Sequence, residues 1–439
     1  MDRIMRVLDT AVDDVESILD LRRAHAAVEV QETVAKIIAD VAERGDMAVL
    51  ESGQRFDSPQ QKSLVVAEAD LEQASVPSLH EEAIQLAVRR VTRFHLAQLG
   101  HLCEGWQTST DRSWLWWREE DGGGKLGQRI RPLLSAGAYV PGGRANYPSS
   151  VIMNTIPAVV AGVPRVAVTS PVGIDGTLPA SVLVACRECG VREVIQAGGA
   201  AAVAALALGT ESIARVDKIV GPGNKYVNEA KRQLWGQVGL DGYAGPSEVC
   251  VFADEECRAD WAAADLLTQV EHAEDNAGFL VCLSFEKLHE VLDEVERQLV
   301  EAPRADVMRA ALNSNGLAIV ARSPLEAAEV INWIAPEHLT LATLDPERLL
   351  PSIVNAGAIL MGEHSPESAG DFVLGPSHTL PTSGSARFGS PVNVGDFLKV
   401  QSLAWMTPDS LAPLLDAVDA FGEMEGFPTH ARASRMRSS

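Results

Sequence analysis

From residue 137 onward the chain alternates between two kinds of apolar pattern. Short continuous runs such as "PRVAVTSP", "VREVIQAGG" and "VDKIVGPGN" read as buried strands. Between them lie "PASVLVACRECG", "AAAVAALALGT" and "KYVNEAKRQLWG", which read as helices; the second is built almost wholly of small residues. The rhythm then repeats. "SEVCVFADE", "GFLVCLSF", "GLAIVARS", "HLTLAT" and "AILMG" read as strands. "ADWAAADLLTQVEHA", "KLHEVLDEVERQLVE", "PLEAAEVINWIAP" and "PERLLPSIVNAG" read as the helices between them. Strand–helix alternation with short connections predicts parallel sheets with right-handed crossovers, in two units at about 137–246 and 247–390. Upstream, "VAKIIADVAERGDMAVLESGQRF" and "HEEAIQLAVRRVTRFHLAQL" carry helical spacing, and "WLWWREEDGGGKLGQRI" predicts a loop or hairpin with tryptophans packing beside it. After "ARFGSPVNVGDFLK" the last 40 residues read as a small helical tail.

Composition narrows the function. A net charge of -23 provides no basic field for phosphate backbones or anionic lipid, so neither nucleic acid nor membrane is an expected partner. The N-terminus is too acidic for a signal or transit peptide, and no apolar run is long enough to span a bilayer; a cytoplasmic site, or an organellar stroma without its transit peptide, is the expectation. The six cysteines lie mostly in apolar stretches, which predicts buried free thiols. Cys186 and Cys189 form a CxxC without the second pair a zinc ribbon requires.

Four Gly-rich stretches fall at expected strand ends: 138–150, 196–200, 221–231 and 242–249. Their backbones suit close approach to a nucleotide beyond the carboxyl ends of a parallel sheet, although none is a GxGxxG. Asp265, Gln269 and His272 share a helical face by spacing. Asp371 and His378 lie in a Gly/Pro-rich loop, and Glu425 and His430 in the tail. Imidazole with carboxylate and amide oxygen suits Zn²⁺, while ordinary surface or core histidines would give the same pattern. Glu337 and His338 open a strand after a proline; such a pair can shuttle protons near neutral pH, or simply cap the strand.

Seven blocks, "YVPGGRANYPSSVIMNTIPAVVAGV", "GPGNKYVNEAKRQ", "AGPSEV", "ADLLTQVEH", "APEHL", "GDFVLGPSHTLPTSGSAR" and "EGFPTHA", follow one another in an order that resembles the histidinol dehydrogenase family from about residue 30 to 435. The resemblance implies an α/β fold of two incomplete Rossmann-like parallel-sheet domains with N-terminal helices and a small helical C-terminal tail. The expected division is an N-terminal helical arm (1–30), a discontinuous metal- and substrate-binding domain (31–136 plus 247–390), an NAD-side domain (137–246) and a tail (391–439) serving the neighbouring subunit. It further implies a zinc-dependent homodimer that oxidises L-histidinol through L-histidinal to L-histidine with NAD⁺. Carried over by motif, the zinc ligands are Gln269, His272, Asp371 and His430, the last lent by the other subunit. Glu337 and His338 are the acid–base pair. Ser247, His378 and Glu425 contact substrate, and Tyr139, Gln196 and Asn224 contact NAD. Ala201 and Ser377 depart from the family pattern, which usually has Gln and Asn there. The alternative is a dehydrogenase of the same fold acting on another small polar alcohol.

Overall fold

A computed structural model describes residues 4–20, 28–109, 113–143, 145–242 and 245–437. Arg144 of the first Gly-rich stretch, Tyr243 and Ala244 of the fourth, and parts of the 1–30 arm therefore lie outside the described residues.

The later rhythm builds a six-stranded parallel sheet in the order Arg6–Asp9, Leu317–Val320, Ala277–Cys282, Glu248–Ala253, His338–Ala342, Ala358–Met361. Its central strands are buried along their whole length, as strands covered by helices on both faces must be. The earlier rhythm builds a five-stranded parallel sheet in the order Glu193–Gln196, Arg165–Ser170, Ser135–Tyr139, Lys218–Val220, Gly239–Leu240. Strand order reverses direction at Ser135–Tyr139, between its neighbours Arg165–Ser170 and Lys218–Val220. The small-residue helix Gly199–Leu208 is buried nearly all round, because its methyl-sized side chains let it lie between this sheet and the Val28–Arg44 helix.

Several expectations are corrected. The N-terminal arm is not purely helical: Arg6–Asp9 is a strand registered Arg6 to Leu317 at the edge of the larger sheet, with Leu8 buried beneath it. The 31–136 segment packs largely on the five-stranded unit and also touches 247–390 through Arg90, whose Nε donates to the Val373 carbonyl (2.7 Å). Val28–Arg44 and Asp46–Phe56 pack on the helices of the five-stranded unit, and Ser78–Leu102 covers Pro148–Ala161 and Ala180–Glu188, so one core runs from Leu71 and Val91 into Val151 and Val184. "PERLLPSIVNAG" makes only a Pro346–Leu349 turn of helix and a 3₁₀ turn, because Pro351 has no N–H to continue the ladder. The tail begins with a strand, Leu398–Trp405, paired antiparallel with Lys125–Pro132 from Leu398↔Pro132 to Trp405↔Lys125. That strand, the "WLWW" hairpin Trp114–Glu119 with Lys125–Pro132, and Gln107–Thr108 form a four-stranded antiparallel sheet. Among the described residues, no helix is long and apolar enough to cross a membrane. All six cysteines are buried and free, with burial pushing the Cys189 thiol up to about 12.

Candidate active site

Titratable groups gather at the amino end of the six-stranded sheet, opposite the rim where parallel sheets usually hold ligands. His338 opens its strand, with Glu337 immediately before it, and both are buried. Glu248 opens the adjacent strand, and its backbone N–H donates to Glu337 Oε2 (2.8 Å) while its carbonyl faces His338 Nδ1 (3.2 Å). The free N–H at a strand's first residue thus holds one catalytic candidate, and the carbonyl beside it orients the other. The two side chains lie together, His338 Nδ1 3.7 Å from Glu337 Oε2.

The short helix Glu367–Phe372 lies across this rim and presents Glu367 and Asp371, four apart, on one face. His338 Nε2 is 3.5 Å from Glu367 Oε1 and 3.3 Å from Asp371 Oδ1. Gln269, on the last turn of Ala259–Val270, donates its amide N–H to Glu367 and to Asp371 Oδ2 (2.9 Å). Asn276 locks that turn by donating to the Gln269 carbonyl (2.7 Å), and its own Oδ1 accepts from Ser247 N (3.2 Å). One helical turn before Gln269, Asp265 accepts from Glu367 N (3.3 Å), and burial lifts its carboxyl to about 6. His378 donates Nδ1–H to the Asp371 carbonyl (2.8 Å), and Ser150 Oγ lies 3.2 Å from its Nε2. Ser150 belongs to Pro148–Ala161, the helix leaving the carboxyl end of Ser135–Tyr139, so this contact joins the two sheets' facing rims.

The electrostatics follow from crowding. Burial pushes the Glu337 carboxyl up to about 8, against the pull of His338. Burial disfavours a charged His338, but Glu337, Asp371 and Glu367 overcome it and hold that imidazole up at about 10. Glu367 is raised by burial; for Asp371 burial acts the same way, but His338 prevails and holds it low. Burial lowers His378, which keeps it neutral. His338 is thus the counter-ion of a carboxylate pair.

A metal cation would take over that role, and the donor set fits one. His338, Glu367 and Asp371 each place one ligand atom within 4.8 Å of the others. His338 Nε2 and Glu367 Oε2 are buried with no hydrogen-bond partner among the described residues. The cluster also sits at the C-terminal end of the Ala259–Val270 helix, where the macrodipole favours positive charge.

The twelve residues singled out by sequence are not all assembled. Gln269, Asp371, Glu337, His338, His378 and Ser247 belong to the rim. His272 lies beyond the helix end at Val270, in an exposed turn closed by its N–H to the Gln269 carbonyl (3.2 Å); its charge still reaches His378. The helix whose spacing put His272 on the Gln269 face ends two residues before it, at Val270. Glu425 and His430 are exposed, at the end of Leu415–Met424 and in Pro428–Arg435. Tyr139, Gln196 and Asn224 stand at the carboxyl ends of three strands of the other sheet. Tyr139 is buried, and its hydroxyl accepts from Gly199 N (3.1 Å). Gln196 exchanges bonds with the 61–64 segment. Asn224 caps Lys225–Leu234 by accepting from Tyr226 N (3.0 Å) and Val227 N (3.2 Å). Glu367, Glu248, Asn276 and Ser150 were not singled out. Glu367 alone had a readable signal, its four-residue offset from Asp371.

Comparison with known proteins gives one answer. The family model described as Histidinol dehydrogenase matches residues 21–438. A histidinol dehydrogenase of Geobacillus kaustophilus is 44% identical over 411 residues, covering 93% of this chain and 94% of the relative. One of Synechococcus sp. is 43% identical over 439 residues, covering 99% and 98%. A crystal structure of histidinol dehydrogenase from Elizabethkingia anophelis superposes with a TM-score of 0.90 at 30% identity, covering 100% of this chain and 98% of the other.

Proposed function

The chain belongs to the histidinol dehydrogenase family, and from that premise we propose how its residues oxidise L-histidinol through L-histidinal to L-histidine with NAD⁺, the last step of histidine biosynthesis. The observation that carries the assignment of roles is the buried Glu337–His338 pair, set 3.7 Å apart beside Asp371 and Gln269.

Gln269 and Asp371, with His272 and the partner subunit's His430, are the residues that would hold zinc. Bound there, zinc would anchor the imidazole and amine of histidinol. His338 takes the hydroxyl proton as the carbinol C–H electrons leave as hydride to NAD⁺, which yields the aldehyde and NADH. Glu337 then removes a proton from water as its oxygen bonds to the aldehyde carbon, while His338 returns its proton to the former carbonyl oxygen, and the hydrate forms. Loss of a second hydride to a second NAD⁺, with a hydroxyl proton to His338, yields the carboxylic acid. A carboxyl lifted toward 8 exchanges protons near neutrality, and a cation held beside Asp371 would take over the counter-charge that holds His338 up at about 10, freeing that imidazole to accept a proton. Ser247 and His378 line the substrate side; Glu425 would join them from the second subunit. Tyr139, Gln196 and Asn224 mark the NAD side.

A shared site requires a second copy. What supports it is the apolar surface left on the antiparallel strand and tail, where Trp405, Phe421, Met424, Phe427 and Met436 are each more than half exposed.

The deciding assay is NADH formed per histidinol at saturating NAD⁺. Two equivalents are expected; one would make this a dehydrogenase for a simple alcohol, and none would remove the assignment.

A further inference from the structure

The same reading, with NAD as the oxidant, leaves one carboxylate unexplained. Asp57 ends the Asp46–Phe56 helix, far in sequence from either sheet, yet it lies over the Gly-rich turn after Glu193–Gln196. A Cβ built on Gly198 would stand 2.9 Å from Asp57 Oδ2 and 2.6 Å from Pro171 Cβ. Glycine at 198 is therefore what lets the carboxylate in.

Asp57 is held there firmly. Its N–H and that of Ser58 both donate to the Gly53 carbonyl (2.8 and 2.9 Å). Ser58 Oγ donates to the Ile174 carbonyl (2.7 Å), and the buried Gln61 donates to the Gln196 carbonyl. Leu64 and Gln196 complete the join through Gln196 N to Leu64 O (2.7 Å). Yet the Asp57 carboxylate itself has no hydrogen-bond partner among the described residues, and burial alone lifts its pKa to about 6. A fixed, half-buried, unpaired acceptor is a cost to the fold that a ligand donor would relieve.

Its position identifies the donor. Strand order reverses at Ser135–Tyr139, and a dinucleotide lies across that reversal, its adenosine over the strands on one side. Arg165–Ser170 and Glu193–Gln196 form the side wound first, and the turns after these two strands carry Pro171 and Gly198. In dinucleotide-binding sheets an acidic residue near this place accepts from the adenosine ribose. Here the turn after Arg165–Ser170 offers only Asp175, which is exposed and accepts from Thr177 N (3.0 Å) within its own turn. We propose that Asp57, supplied by the N-terminal helices, accepts hydrogen bonds from the adenosine ribose hydroxyls of NAD and, by its charge, excludes a 2′-phosphate.

The test is direct binding to the free enzyme by calorimetry, using NAD⁺, 2′-deoxy-NAD⁺ and NADP⁺ with the unsubstituted protein and with Asp57→Asn. The unsubstituted protein is expected to bind 2′-deoxy-NAD⁺ about tenfold more weakly than NAD⁺. Asp57→Asn is expected to weaken NAD⁺ about tenfold, to abolish the preference over 2′-deoxy-NAD⁺, and not to weaken NADP⁺. Equal affinity of the unsubstituted protein for NAD⁺ and 2′-deoxy-NAD⁺ overturns the proposal, whether or not the variant folds. So does a variant that loses all three ligands equally, the mark of a merely structural role. Neither outcome touches the histidinol turnover assay, which alone decides the catalytic reading.

Discussion

The buried ion pair Lys231–Asp241 offers a perturbation whose asymmetry can be worked out in advance. Lys231 Nζ lies 2.9 Å from Asp241 Oδ1, with side chains 1% and 9% exposed, and also donates to the Gly221 carbonyl. Asp241 is better furnished: Gly221 N donates to Oδ2 (2.7 Å) and Gly242 N to Oδ1 (2.8 Å). At an effective dielectric of about 20 the Coulomb attraction across 2.9 Å is roughly 6 kcal/mol, most of it offset by desolvation. Removing one partner leaves the other uncompensated. Asp241→Ala strands an ammonium with one carbonyl and is expected to cost about 3–5 kcal/mol. Lys231→Met leaves a carboxylate with two backbone donors and is expected to cost less, about 1–2 kcal/mol. The double variant is expected to cost less than the sum of the two, because no charge is left buried alone. The damage spreads to the NAD side. Gly221 sits at φ +111° with any Cβ 2.1 Å from the Tyr139 carbonyl, so the turn that carries Asn224 has one way to pack, and the ion pair pins it. Urea denaturation of the four proteins, with NADH affinity measured alongside, checks this. An Asp241→Ala loss below about 1 kcal/mol, or a strictly additive double variant, would refute the argument.

Other outcomes follow from the same geometry. Glu337→Gln keeps the bond from Glu248 N but not the base, so it is expected to stall at one NADH per histidinol, while His338→Asn lowers both oxidations by roughly 10²–10⁴; equal NADH yields from Glu337→Gln and the parent would reassign the water base. Chelation is expected to abolish turnover and lower the melting temperature, with Zn²⁺ restoring both, because a bound cation would neutralise the crowded Asp371 and Glu367 carboxylates; an unmoved melting temperature would remove the metal from this cluster. Asp57 has a folded-state pKa raised from 3.8 to about 6, so its penalty is absent below pH 4, grows between 4 and 6, and is complete above. The shift would be worth roughly 3 kcal/mol in full; discounted for its partial exposure, Asp57→Asn is expected to stabilise the ligand-free protein by about 1 kcal/mol at pH 8 and not at pH 4, by thermal scans at both.

Local pattern carried the architecture wherever strands were buried on both faces, since "EVCVFA" after its leading Glu248 and "AGFLVC" throughout are apolar and bounded by turn residues. It missed what partners decide. "RVLD" is too short to announce a strand and becomes one only because Leu317–Val320 offers an edge. Ala305–Asn315 is a helix that the reading passed over, and "LKVQSLAW" lay in what was read as a helical tail although it finds an antiparallel partner at Lys125–Pro132. At the site, Gln269, Asp371, Glu337 and His338 come together from three separate segments, which spacing cannot reveal and the family resemblance did. Glu367 escaped because its importance lies in a 3.5 Å approach to His338 across 29 positions of sequence, a distance no periodicity encodes. The helix carrying Gln269 was expected to run through His272 but ends at Val270, so His272 stands in the turn that follows.

The proposed chemistry occupies opposed rims, the amino end of one sheet and the carboxyl end of the other, with Ser150 and His378 at the seam. Their far rims are consequently idle ground. The short turns at Leu283–Ser284 and 321–323, which leave the far ends of two strands in the larger sheet, are where foreign peptide or an affinity handle can be grafted with least effect on turnover.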